Sequence, residues 1–111
     1  MIGLHLMVDG LVEEQVSRET VERVLRELPG LIGMTILDGP HIVEGVPENP
    51  GLTGFVIIDK SHISVHTFNE TSLASIDVYS CKPFETGEAV SYLRKLVRFK
   101  EYTTRAITRS L

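Results

Sequence analysis

The chain contains no tryptophan, and aromatic residues make up only 6 % of its 111 positions. So sparse a set argues against a rich base-stacking platform for single-stranded nucleic acids. Basic residues are neither abundant nor clustered, and net charge is −4 with a pI near 5.5. The electrostatic footprint of a nucleic-acid binder is therefore missing. A single cysteine, Cys81, cannot form an internal disulfide, which fits a reducing compartment. No apolar run approaches the ~18 residues of a membrane span. The N-terminus starts apolar, but His5 and Asp9 interrupt it, and no basic segment or small-residue cleavage site follows. It reads as a strand rather than a signal peptide, and a cytoplasmic protein is expected. Gly-rich phosphate loops are absent too.

What is present is ordinary for a globular protein: 42 % hydrophobic and 23 % charged residues. The length suits one domain, residues 1–111, with one modest core. Leu4, Leu6 and Val8 alternate with His5, Met7 and Asp9, which predicts a strand. Ser17 is placed to cap a helix over Arg18 to Leu28, with an apolar stripe of Val21, Val24, Leu25 and Leu28. Pro29-Gly30 should stop it. Strands are expected over Leu31 to Leu37, His41 to Glu44 and Phe55 to Ile58, with a loop from Gly45 to Gly51. A two-residue hairpin at Asp59-Lys60 would lead into the alternating Ile63 and Val65. Ala74 to Ser80 reads as a strand, with Asp77, Tyr79 and Cys81 on one face. A second helix over Gly87 to Arg98, capped by Thr86, precedes a last strand from Glu101 to Thr108. The order β-α-β-β-β-β-β-α-β predicts an α+β two-layer sandwich, its mostly antiparallel sheet covered by two helices on one face. The other face is left for a partner subunit or a site.

Chemistry concentrates in Asp59-Lys60-Ser61-His62-Ile63-Ser64-Val65-His66-Thr67-Phe68-Asn69-Glu70, followed eleven residues later by Cys81. Ser61, at a turn between buried strands, is either a turn residue or a hydroxyl aimed at the Lys60 carbonyl. His66 can take a proton near neutral pH, or serve as a strand histidine bonded to backbone. Cys81 is either a small buried hydrophobe or a proton donor. Glu70 can hold hydroxyls or an amine of a ligand. His62 and His66 share a strand face, but zinc usually takes three protein ligands, and no third is spaced with them. No metal is expected.

Together these residues resemble the pyruvoyl-dependent S-adenosylmethionine decarboxylase family in its short prokaryotic form. That family reads roughly Glu-Ser-His-(apolar)-(Ser/Thr)-(apolar)-His-Thr-Trp-Pro-Glu, then a strand ending Asp-x-(aromatic)-(Ser/Thr)-Cys. Lys60 through Glu70 and Asp77-Val78-Tyr79-Ser80-Cys81 match it without a gap between serine, histidine and cysteine. Thr53-Gly54 matches the hydroxyl-Gly step before the apolar strand, and Gly3-Leu4-His5-Leu6 resembles the opening Gly-x-His-(apolar).

The resemblance implies an S-adenosylmethionine decarboxylase-like sandwich that cuts itself between Lys60 and Ser61. Ser61 would attack the Lys60 carbonyl to form an ester. Removal of its α-proton, with His66 as proton acceptor, would then expel the upstream chain. The products would be a β chain, 1–60, and an α chain, 61–111, opening with a pyruvoyl group made from Ser61. That group would form a Schiff base with the substrate amine and take up the electrons left by CO2. Cys81 would be the proton donor, and Thr53 and Glu70 would help bind substrate. The resemblance also implies a homodimer or larger homo-oligomer and a place in spermidine synthesis.

Three positions depart from the family pattern: Lys60 for Glu, Phe68-Asn69 for Trp-Pro, and Pro47 where relatives carry an aromatic that stacks on adenine. Losing that stack would remove about 1–3 kcal/mol. Two alternatives therefore accompany S-adenosylmethionine decarboxylation. One is pyruvoyl-dependent decarboxylation of arginine or ornithine. The other is a non-cleaving paralogue that acts as a binding or regulatory subunit.

Overall fold

The computed structural model describes residues 2–111. Six strands and two helices follow in the order β1 (Gly3–Val12), α1 (Arg18–Leu31), β2 (Ile36–Glu44), β3 (Leu52–Ile58), β4 (Ser61–Phe68), β5 (Leu73–Ser80), α2 (Thr86–Leu96) and β6 (Phe99–Arg109). The strands form one sheet in the order β2-β3-β4-β5-β1-β6. Every neighbouring pair is antiparallel. This is the α+β architecture read from the sequence, with one strand fewer.

The lost strand is a fusion. Leu31–Leu37 and His41–Glu44 were expected as two strands, but Ile36–Glu44 runs as one along β3. Its register slips between Ile36 and Asp38 and again between Asp38 and His41. These irregularities absorb Gly39-Pro40, which read as a break. An edge strand tolerates this, because the proline's missing N–H is not needed by a second neighbour.

The helix boundaries also differ from expectation. α1 continues through Pro29 to Leu31. A proline this late removes only one hydrogen bond near the helix end. The stop comes instead at Gly33, whose φ of 76° suits glycine. There Gly33 N–H donates to the Gly30 carbonyl and Met34 N–H to the Pro29 carbonyl, a Schellman closure. Ser17 caps the start as expected, its hydroxyl accepting from Thr20 N–H at 3.1 Å. α2 begins at Thr86 with Glu85 as its cap, and no side chain bonds the cap. It ends at Leu96 because Val97 turns extended, φ −103° and ψ 110°, to feed β6.

The helices cover one face of the sheet. Val21, Val24, Leu25 and Leu28 of α1 and Leu93 of α2 are fully buried against Leu6, Val8, Val56, Ile58, Ile63, Ile76 and Val78. α1 lies close enough to β3 that a Cβ on Gly54 would sit 2.6 Å from Val21 Cγ1 and 2.8 Å from Leu25 Cδ1. The Tyr92 hydroxyl, donating to Glu27 Oε1 at 2.9 Å, ties α2 to α1. No helix is long and apolar enough to cross a membrane.

The opposite face is uncovered. Val43, Phe55, Ile57, Leu73 and Ile107 stand on it with between 37 % and 64 % of their surface exposed. Leu25→Ala should lower stability by about 2–5 kcal/mol in urea unfolding. Ile107→Ala, on the open face of an isolated chain, should cost far less.

Candidate active site

The tight turn at Asp59-Lys60 sets the site. It joins β3 to β4 with Ile58 paired to Ser61, the two-residue hairpin expected from the sequence. Lys60, the second residue of the turn, takes a left-handed conformation, φ 51°. Ser61 therefore begins β4 on the helix-covered side and is buried. Its Oγ donates to the Asp59 carbonyl at 2.9 Å and accepts from the Cys81 N–H at 2.9 Å. Cys81 lies just past β5, half-buried, its Sγ 3.5 Å from the same Asp59 carbonyl. Serine hydroxyl, thiol and the peptide before Lys60 thus meet at one end of the sheet.

His66 is not there. Five extended residues separate it from Ser61, about 16 Å at ~3.3 Å per residue. Strand alternation also puts it on the open face. Its Nδ1 is 3.2 Å from Thr53 Oγ1 on β3. Glu70 lies beyond β4 in the exposed turn to β5. Near this end opens a cleft of ≈ 470 Å³ whose lining includes Pro47, Gly51 and Asn69 with Ser17 and Arg18 of α1. The sequence-predicted residues therefore divide into two sets. Ser61 and Cys81 form one, and Thr53, His66 and Glu70 the other, at opposite ends of the sheet within one chain.

Between them runs a polar and aromatic tract that the sequence reading did not assemble. Residues paired directly across five strands give the row Ile57, His62, Tyr79, His5, Ile107. The next row is Phe55, Ser64, Asp77, Met7, Arg105. His5 Nε2 lies 3.0 Å from Asp77 Oδ1, and Ser64 Oγ donates to Asp77 Oδ2 at 3.5 Å. His62 stacks on Phe55 at 5.2 Å and leans on Tyr79 at 5.6 Å. Burial, and then the neighbouring His5, hold the His62 imidazole below the usual histidine range, while Asp77 pulls the other way. The available signal was parity: His5, His62, Asp77 and Tyr79 all sit at the outward phase of their strands. Among the described residues, no group of three or more His, Cys, Asp or Glu side chains is placed to hold a metal ion.

A helix-backed antiparallel sheet with a buried serine and a thiol meeting at a hairpin defines a class of α+β proteins, and comparison with known proteins identifies it. The family model described as S-adenosylmethionine decarboxylase matches residues 5–110, and the chain belongs to that family. A solved structure, the adenosylmethionine decarboxylase from Aquifex aeolicus VF5, superposes with a TM-score of 0.79 at 27 % identity. The match covers 99 % of this chain and 92 % of that one. No curated protein sequence gives a significant match. An S-adenosylmethionine decarboxylase-like role follows from family and fold.

Thr53→Val removes the hydroxyl beside His66 Nδ1. It should change the imidazole nitrogen shifts of His66 in a ¹⁵N spectrum while leaving those of His62 in place.

Proposed function

We propose that the chain is a self-processing, pyruvoyl-dependent decarboxylase of S-adenosylmethionine, serving spermidine synthesis. The observation that carries this reading is the position of Ser61. A buried hydroxyl opens a strand right after a left-handed turn, hydrogen-bonded to the backbone N–H of the only cysteine. In processing, Ser61 Oγ adds to the Lys60 carbonyl carbon and the Lys60–Ser61 C–N bond breaks, giving an ester and a free amine. Loss of the Ser61 α-proton then breaks the Cβ–O bond and releases the 1–60 carboxylate. Water converts the remaining dehydroalanine to pyruvoyl with loss of ammonia.

The residues fit a group made in place. Ser61 needs no imported cofactor, and Cys81 is already beside it. Once formed, the pyruvoyl ketone supplies the electrophile that condenses with the substrate amine and receives the electrons left by CO2. Cys81 Sγ then holds the proton to be returned to the substrate carbon. Lys60 alters the local charge but not the attacked group, which is backbone.

His66 cannot take the α-proton of Ser61 in its own chain from about 16 Å away. A second copy supplies it. Two open faces packed on each other, with a two-fold axis running across the strands midway between Ile63 and Ser64 of β4, bring position 66 of one chain over the backbone of position 61 of the other. Thr53, Glu70 and the Gly45–Gly51 loop travel with it. The working unit is then a homodimer with two shared sites, and the exposed Phe55, Ile57 and Ile107 become its interior.

Intact mass of the purified protein tests the reading. Fragments 1–60 and 61–111 should appear, the second with a blocked terminus; a chain that stays at 12.4 kDa under all conditions removes the decarboxylase. Ser61→Ala should abolish splitting. Cys81→Ala should split yet turn over poorly, and full turnover by it would end its role as proton donor. His66→Ala should slow splitting by about 10²–10⁴-fold. Mixing His66→Ala with Ser61→Ala chains should restore cleavage of the former, whereas no rescue would place His66 outside a shared site. Release of CO2 from carboxyl-labelled S-adenosylmethionine, compared with arginine and ornithine, decides the substrate. Pro47, which offers no aromatic ring to adenine, is the observation that keeps the smaller amines in that comparison.

A further inference from the structure

The row across the open face holds two imidazoles where a sheet-to-sheet interface normally buries aliphatic groups. His62 stands second in it, with Ile57 and Tyr79 directly beside it on β3 and β5 and His5 one strand further, on β1. Its ring stacks on Phe55 with planes 18° apart. On the other side Tyr79 is tilted by 34°, and that ring carries the Arg109 guanidinium of β6 at 5.2 Å. The one carboxylate close to it, Asp77 on β5, is already engaged by His5 Nε2 and Ser64 Oγ. The other ionisable groups of the face are His66 on β4, Arg105 of β6 in the row of Asp77, Glu101 of β6 in the row of Leu73, Asp9 of β1 in the row of His66, and His41 and Asp38 on the edge strand β2. A proton added at His62 therefore meets rings, a second imidazole and a guanidinium, with its nearest counter-charge already shared.

We propose that the open face is a proton-gated interface, in which a second copy seats only on neutral His62 and protonation of that ring loosens the pair. This rests on the shared-site reading above, which makes the second copy the occupant, and adds a regulation to it. Packing another sheet over this row removes the water that would solvate an imidazolium, so the proton is bound less tightly in the dimer than in the free chain. The ring is already held below the ordinary histidine value of 6.5 before any partner arrives. The free chains therefore bind more protons than the dimer as pH falls. By linkage, association is strongest above the free-chain value, weakens as pH drops through it, and levels off below the dimer value. One such ring per chain gives two per dimer, so the dissociation constant can change by at most about 100-fold per pH unit. The shared site would follow the dimer, giving an enzyme that disassembles in mildly acidic surroundings.

Sedimentation equilibrium of the full chain at constant ionic strength, from pH 7.5 to 5.5, tests the proposal. The expected result is a rise of about tenfold or more in the dimer dissociation constant with an unchanged far-UV spectrum. His62→Phe, which keeps the stack on Phe55, should flatten that dependence. A dissociation constant that stays level in the unmodified protein, or an equal pH dependence in His62→Phe, overturns the gate while leaving the dimer and its shared site intact. A chain that is monomeric at every pH overturns both. If His62→Phe fails to fold, calorimetry of dilution in buffers of different ionisation enthalpy gives the same answer on the unmodified protein. Uptake of about one proton per chain on dissociation at mildly acid pH supports the gate, and none overturns it.

Discussion

The arrangement depends on the two-residue turn at Asp59-Lys60. With only two residues to reverse direction, Ile58 must face Ser61, and the register of β3 on β4 is fixed from that point. A slip of one residue would turn every side chain of β4 to the other face. Ile63 and Val65 would leave the core, and His62 and His66 would enter it. The same turn leaves Lys60 left-handed and brings Ser61 against the backbone of Cys81. Core packing, the serine–cysteine meeting and the position of the histidines are consequences of one short link.

Much of this was legible in the sequence because it rests on period-two alternation. Ile63 and Val65 against His62 and His66, and Ile76 and Val78 against Asp77 and Tyr79, assigned residues to faces correctly. The hairpin at Asp59-Lys60 followed from its brevity between two apolar runs. Other features were hidden where a local signal is overridden. Pro29-Gly30 reads as a stop, yet the proline falls where a helix can spare a hydrogen bond, and Gly33 makes the turn instead. Gly39-Pro40 reads as a break, yet an edge strand absorbs it as a bulge. Thr86 has the chemistry of a cap, but Glu85 occupies the position.

The candidate site shows a different limit. Spacing along the chain brought Ser61, His66 and Cys81 to attention together, but sequence proximity is not spatial proximity on an extended strand. Ser61 and Cys81, twenty residues apart, touch. Ser61 and His66, five residues apart, do not. The pairing of His5 with Asp77, separated by 72 positions, could be known only once β1 was seen to lie beside β5. Strand order, which no local pattern encodes, decides which polar residues form a cluster.

That strand order carries one more consequence. Residues 1–60 supply β1, α1, β2 and β3, and residues 61–111 supply β4, β5, α2 and β6. In the sheet these do not lie side by side as two blocks, because β1 is threaded between β5 and β6. A cut after Lys60 would leave two peptides interleaved like the fingers of clasped hands, unable to part without dismantling the sheet. It would also convert folding from a reaction of one chain into a meeting of two. The cut molecule would be held in its fold as much by the route it took as by its free energy, and once unfolded at high dilution it would have no quick way back.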